Sequence, residues 1–324
     1  MFKKINNFQL KSTNVDEKYG FDFYRYNAKV EGIIVLLSIV VLPLITLIFL
    51  NVFKNQLNIN EEQIQLIISV SSIFFSTIGG LIFWKLHPIS FFKSGVGILF
   101  IYPIAFLIMG IFSSICAQII PGLFDKENKK ITAWGSVFQT FIQLIAEIVL
   151  IIYAFLKIDD LKQRVKQTLK ENKKQLIIVV VVFTLIMFLL GNVLYGIIAN
   201  KLGLGQSENQ QNLIEPLKNK QTKIFYIILL LVFTVFVAPL FEEIIARNAI
   251  FTAVGSRWLS IIISTLFFGI MHVGSGDIWN ITPYLLGGLF LSLAFDFTRG
   301  NITYSWLIHS TYNLISFTIT ISTN

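Results

Sequence analysis

Two adjacent glutamates, an arginine and two histidines stand in stretches that are otherwise apolar enough to cross a bilayer. Residues 238–253 read Ala-Pro-Leu-Phe-Glu-Glu-Ile-Ile-Ala-Arg-Asn-Ala-Ile-Phe-Thr-Ala, with Glu242, Glu243 and Arg247 inside the apolar run. Holding one such charge near the bilayer centre costs on the order of 3 kcal/mol on insertion scales, so charged groups there normally face a polar cavity and carry a function. Glu243 and Arg247 are four positions apart and share a helical face, where opposite charges pair. Glu242 is turned by about 100° and faces a different neighbour. His272 lies four residues after Phe268 on the next apolar run, and His309 lies four residues before Asn313 on the last. Histidine can polarise or donate to a substrate oxygen, and the Asn313 amide can supply a further hydrogen bond one turn from His309. Three helices thus each offer a polar group that can converge on one buried point. A lone intramembrane histidine more often bonds helix to helix; the case for chemistry rests on the set.

The elements that must position these groups are membrane helices. Of 324 residues, 55% are hydrophobic and only 14% are charged, and the apolar content recurs as long runs along the whole chain. The runs lie at 30–52, 64–86, 96–119, 133–156, 176–199, 224–253, 259–274, 283–298 and 303–322. This predicts an all-α, polytopic transmembrane bundle of about eight or nine spans. The runs at 259 and 283 are short, and 224–253 is too long, so Pro239 is expected to break it into two helical pieces. The net charge of +8 does not point to nucleic acid, because the Lys and Arg fall in short segments between the runs, where they set topology and meet anionic lipid. If every run crosses, most of the 26 basic residues lie on the side of the N-terminus, which predicts a multi-pass protein of the cell membrane with its N-terminus cytoplasmic. The single cysteine, Cys116, allows no intramolecular disulfide.

Residues 1–29 read as a polar, basic cytoplasmic tail without a cleavable leader. Phe21, Phe23, Tyr24 and Tyr26 stand where an interfacial aromatic belt is expected. Residues 30–175 form an N-terminal transmembrane extension that closes on a basic segment. There, Ile158, Leu161, Val165 and Leu169 recur at helical spacing, as in an amphipathic helix on the membrane surface or a basic linker that anchors topology. Residues 176–324 form the chemically active part, because the first five runs hold almost no ionisable residue apart from Glu147, whereas the last four hold Glu242, Glu243, Arg247, His272, Asp296 and His309. Within that part, Asn200–Lys223 reads as a flexible loop without chemistry. Asp296 reads as interfacial or paired, near Arg299, and Glu147 as a buried hydrogen-bonding group or the mark of a second polar site. His87 reads as interfacial, and Gly287-Gly288 as a close helix contact.

Glu242-Glu243-Ile-Ile-Ala-Arg247, Phe268-Gly-Ile-Met-His272 and His309-Ser-Thr-Tyr-Asn313 resemble three ordered motifs of the CAAX protease and bacteriocin-processing family of intramembrane proteases, which includes the type II CAAX prenyl endopeptidases. The resemblance covers roughly residues 176–322. It implies an intramembrane endopeptidase in which Glu242, with His272, activates a water, and His309 and Asn313 stabilise the oxyanion. It leaves Glu243 and Arg247 as a supporting pair that orients the helix, with a substrate contact open to Arg247. Glu242, His272 and His309 are the metal ligands if zinc is present, but there is no His-Glu-x-x-His and asparagine is a poor zinc ligand, so no cofactor is favoured. The implied partners are the lipid bilayer and a peptide or membrane-protein substrate. The richness in Ile, Lys and Asn points to an AT-rich bacterial genome, which favours peptide pheromones, bacteriocin precursors or membrane regulators over prenylated proteins. The rival reading is a non-proteolytic bacteriocin immunity or membrane-partner-binding protein that keeps the fold. A transporter with a Glu/His proton relay is a further rival, against which no inverted repeat is evident.

Overall fold

Within hydrocarbon, each backbone N–H and C=O has to be satisfied by its own segment, so apolar runs of bilayer length fold as helices. The computed structural model describes residues 8–127, 130–201, 203, 205, 207–274 and 276–323. Lys3 and Lys4 of the expected tail, and Lys129, lie outside the described residues. The chain runs through α1 (Glu31–Leu57), α2 (Glu61–Leu86), α3 (Val96–Ile119), a two-residue hairpin of β1 (Phe124–Asp125) and β2 (Lys130–Ile131), α4 (Ala133–Lys157), α5 (Leu161–Glu171), α6 (Lys173–Lys201), α7 (Glu208–Ile214), α8 (Lys223–Val254), α9 (Arg257–His272), α10 (Thr282–Phe297) and α11 (Ile302–Thr323). Six of these, α1–α4, α6 and α8, are long and apolar enough to cross a membrane. Helices α9 and α10 are apolar but only 16 residues each, a rise of about 24 Å against a ~30 Å hydrocarbon core. Large apolar side chains such as Ile177, Ile178 and Leu185 of α6 face outward, as a lipid-facing surface requires. The protein is an all-α, multi-pass membrane bundle.

Pro239 does not break the long run. Helix α8 continues through it for 32 residues because the turns just before it, Val232–Val237, widen to π-helix. A proline lacks an N–H and its ring crowds the carbonyl one turn earlier; one extra residue in the preceding turns relieves both. Helix α1 does the same, with π-helix at Leu36–Val41 just ahead of Pro43. A second widened stretch in α8, Ile244–Ala249, follows the two glutamates and holds Arg247.

The main apolar core joins both parts of the chain. Val35 of α1, Phe83 of α2 and Leu99 of α3 belong to one buried cluster with Phe251 of α8, Phe295 of α10 and Ile308 of α11. Helices α9 and α10 form the tightest pair. Arg257 at the start of α9 grips Asp296 at the end of α10 with Nε–Oδ1 at 2.6 Å and Nη2–Oδ2 at 2.7 Å, and Ser292 donates to Ser264 over 2.9 Å. Asp296 is therefore paired with Arg257; Arg299 instead donates to the Leu10 carbonyl. Gly288 lets the two helices touch, since a Cβ there would stand 3.1 Å from the Thr265 carbonyl. Gly287 has ordinary room.

Two segments expected to lie apart from the bundle are docked on it. The aromatic residues of the N-terminal segment cross the ends of the C-terminal helices: Phe21 meets Phe295 edge-on, Phe23 meets Phe251, and Tyr26 lies against Phe83 and His87, leaving Tyr24 outward. His87 pairs with Glu31 at 2.7 Å. The Tyr26 carbonyl approaches Gly255, the left-handed residue (φ 64°) that ends α8, where any Cβ would collide with it. Gly255→Ala is expected to cost more than the ~1–2 kcal/mol of a left-handed L-residue, because backbone blocks the methyl, and to lower the thermal midpoint in detergent. Helix α5 also packs inward. Leu161, Arg164, Val165 and Thr168 form its buried face while Leu169 is 43% exposed, so the inner face is partly polar and rests on protein. Arg164 donates to the Tyr19 and Gly300 carbonyls, tying the N-terminal segment to the α10–α11 turn. Burial lowers its pKa to about 10, against the pull of Asp160, and it still carries its charge at neutral pH.

Candidate active site

Helix α8 places Glu242 and Glu243 on different faces, as adjacent helical positions must be. Glu243 points into protein. Both it and Arg247 are 0% exposed, with Arg247 Nη1 lying 3.2 Å from Glu243 Oε1. The contact is an ion pair by distance only; Nη1 lacks hydrogen-bond geometry. Arg247 is further held by a 3.4 Å donation from Nη2 to the Gly288 carbonyl and by the Phe268 ring, whose centroid is 4.5 Å from the guanidinium carbon. The same Glu243 Oε1 lies 3.2 Å from His309 Nδ1 on α11. Arg247, Glu243 and His309 thus form a buried chain of contacts leading to the site.

Glu242 points the other way, into a cavity of about 1750 Å³ that His272, His309 and Asn313 also line. Its Oε2 lies 3.7 Å from His309 Nε2 and 3.9 Å from His272 Nε2, and has no hydrogen-bond partner among the described residues. The hydrogen on each ring follows from its other nitrogen. His272 Nδ1 is 2.9 Å from the Phe268 carbonyl, which can only accept, so Nδ1 carries the hydrogen. His309 Nδ1 faces a carboxylate oxygen and donates likewise. In the neutral ring, each histidine then offers a bare Nε2 on the side of Glu242. Asn313 gives one amide hydrogen to the Thr234 carbonyl at 2.8 Å and keeps the other. The sequence-predicted residues Glu242, His272, His309 and Asn313 are therefore gathered on one cavity, and Glu243 and Arg247 lie behind it.

The type II CAAX prenyl endopeptidase Rce1-like family matches residues 224–315, the stretch that carries all six of these residues. Over that C-terminal stretch the chain is similar to this family. That similarity supports a function of the CAAX-type intramembrane protease kind. The chain is 50% identical to an uncharacterized protein of Mycoplasma capricolum subsp. capricolum, in a match covering 99% of this chain and 96% of that protein, so the match extends well beyond residues 224–315. Over 78 residues, 24% of this chain and 42% of the other, it is 30% identical to the UPF0177 protein YxdF of Lactococcus lactis subsp. lactis. No solved structure matches the chain.

Two features of this Rce1-like site were not legible in the sequence. Tyr284, near the start of α10, stacks on His272 with ring centroids 4.6 Å apart and planes inclined by 20°. The segment expected to be a flexible loop supplies α7, and its Ser207 and Asn209 meet the Tyr284 hydroxyl at 2.7 and 3.3 Å. That segment thus braces the ring that braces His272. Nothing in its Gln- and Asn-rich composition signals this. By type, Glu242, His272 and His309 are donors that zinc accepts. Among the described residues, no group of three or more His, Cys, Asp or Glu is arranged to hold a metal ion.

Proposed function

We propose that the chain hydrolyses a peptide bond of a membrane-associated or small peptide substrate, with Glu242 as general base. The observation that carries this is the unpartnered Glu242 Oε2, set on a cavity wall within 3.9 Å of two histidine Nε2 atoms. Two acceptors 3.9 Å apart can both stand about 2.8 Å from a single water, which would donate one hydrogen to each. Glu242 takes one proton as the oxygen attacks the scissile carbonyl carbon, while His272, fixed by Phe268 and Tyr284, orients the water. The carbonyl π pair moves onto oxygen, where the free Asn313 hydrogen and protonated His309 donate to it. Collapse of this intermediate breaks the C–N bond, and the proton held by Glu242 passes to the departing amine. Glu243 steadies a protonated His309 through Nδ1, and Arg247 balances Glu243. We place the protein in the cell membrane with its N-terminus cytoplasmic, on the bias of basic residues. Peptide pheromones, bacteriocin precursors and membrane regulators are the substrate classes this reading favours.

The test compares secreted and membrane peptides, by mass spectrometry, in cells carrying wild type or Glu242→Ala. A cleaved peptide that disappears only in the variant supports proteolysis and names the substrate. An unchanged peptide profile, with a deletion phenotype that Glu242→Ala rescues, points to a protein that binds a membrane partner or confers immunity without cleaving.

A further inference from the structure

The cavity is broader than the motif residues need, and much of its wall comes from the N-terminal extension. Gln139, Gln143 and Glu147 follow at four-residue steps on one face of α4, and all three line it. Glu147 is 2% exposed; Gln143 Nε2 donates to its Oε1 over 3.1 Å, and its Oε2 has no hydrogen-bond partner among the described residues. It is also near enough to Glu242 for the two carboxyls to interact electrostatically. The described residues that line the cavity include Glu62, Glu147 and Glu242 and no lysine or arginine, in a chain whose net charge is +8. The basic residue nearest the motif, Arg247, is turned away and engaged with Glu243.

A buried carboxyl oxygen without a partner is costly, and more so beside a second carboxyl. The bundle could have met that cost with a lysine or arginine on any facing helix, as it did for Glu243 and Asp296. It leaves the cavity acidic instead. We propose that Glu147 binds a basic side chain of the substrate, lysine or arginine, while the peptide bond a few residues away lies at Glu242; this rests on the proteolytic reading of the site. Gln139 and Gln143 suit the same segment, because an amide both donates to and accepts from the backbone of an extended peptide. The extension is then the part of the protein that selects substrates, and the C-terminal helices are the part that cuts.

The full chain, purified in detergent or nanodiscs, is offered fluorescein-labelled peptides in pairs that differ at one position by lysine or acetyl-lysine. Acetylation keeps the stem and removes the charge. Fluorescence anisotropy gives Kd for each pair, and cleavage is followed separately. Wild type is expected to bind at least one lysine peptide roughly tenfold more tightly than its acetylated partner, with Glu147→Gln bringing that ratio to within about twofold of one. A wild-type ratio near one at every position overturns the proposal, as does a preference that survives Glu147→Gln. A second readout needs no variant. Dicyclohexylcarbodiimide joins the lysine amine to a nearby carboxyl as an amide, itself taking up the lost oxygen as a urea, and mass spectrometry finds the carboxyl used. Coupling at Glu147 supports the assignment, and coupling only at Glu62 or Glu242 overturns it. Charge-selective binding without cleavage would remove the protease reading and leave this one, and cleavage without charge preference would do the reverse.

Discussion

Glu242→Gln is expected to abolish cleavage of a defined peptide while leaving the bundle folded. The substitution keeps shape and removes the proposed base. A positioned general base contributes about 100- to 10,000-fold, and in the proposed mechanism the same oxygen also fixes the attacking water, so a loss of at least about 1000-fold is expected. Stability should hold for a separate reason. Glu242 approaches no charged partner closer than 3.7 Å, and its Oε2 makes no hydrogen bond among the described residues, so the amide gives up nothing that the fold uses. Removing an unpaired charge from a buried wall is expected to leave the thermal midpoint unchanged or raise it. Cleavage rate and thermal midpoint, measured on the same detergent preparation, check both halves. Retention of more than about a tenth of wild-type activity would remove Glu242 from the role of base.

How far the sequence could be read depends on which physical rule governed each position. The cost of charge in hydrocarbon singled out Glu242, Glu243 and Arg247, because few other reasons keep three ionisable groups within six residues of a span. Helical spacing then separated the two glutamates, and in the structure one faces the cavity and the other the Arg247 guanidinium. The same cost marked Glu147, though nothing local could say that α4 would carry it to the cavity of Glu242; that is a matter of how distant helices pack. Pro239 was misread because proline's local rule predicts a break, whereas a widened turn ahead of it keeps the helix whole. Tyr284 and the 207–214 segment carried no signal, since a tyrosine and a run of amides are ordinary in any loop and gain their meaning from a partner 75 residues or more away. Leu169 failed for a related reason. The apolar period of α5 put it inward, but the inner face took Arg164 and Thr168, whose partners are backbone carbonyls and Asn301 on other elements.

Arg247→Leu is expected to unfold the protein, in contrast to Glu242→Gln. Both Arg247 and Glu243 are fully enclosed, so the variant strands a carboxylate with neither water nor its ion-pair partner. Breaking such a pair from one side costs about 3–5 kcal/mol, a large share of a typical net stability of about 5–15 kcal/mol. The loss extends to the Gly288 carbonyl and the face of Phe268, through which Arg247 ties α8 to α10 and α9. Low yield and an aggregated profile on size exclusion are expected. The double variant Glu243→Gln/Arg247→Leu removes both charges, and replacing a buried pair by neutral groups of similar size is often close to neutral, so it should recover much of the lost stability. It should not recover activity, because His309 Nδ1 would then face an amide in place of the carboxylate on which the proposed mechanism relies. Recovered folding with absent cleavage would separate the two duties of the pair, holding the helices and holding His309. A single Arg247→Leu as stable as wild type would show that the pair does not hold the helices.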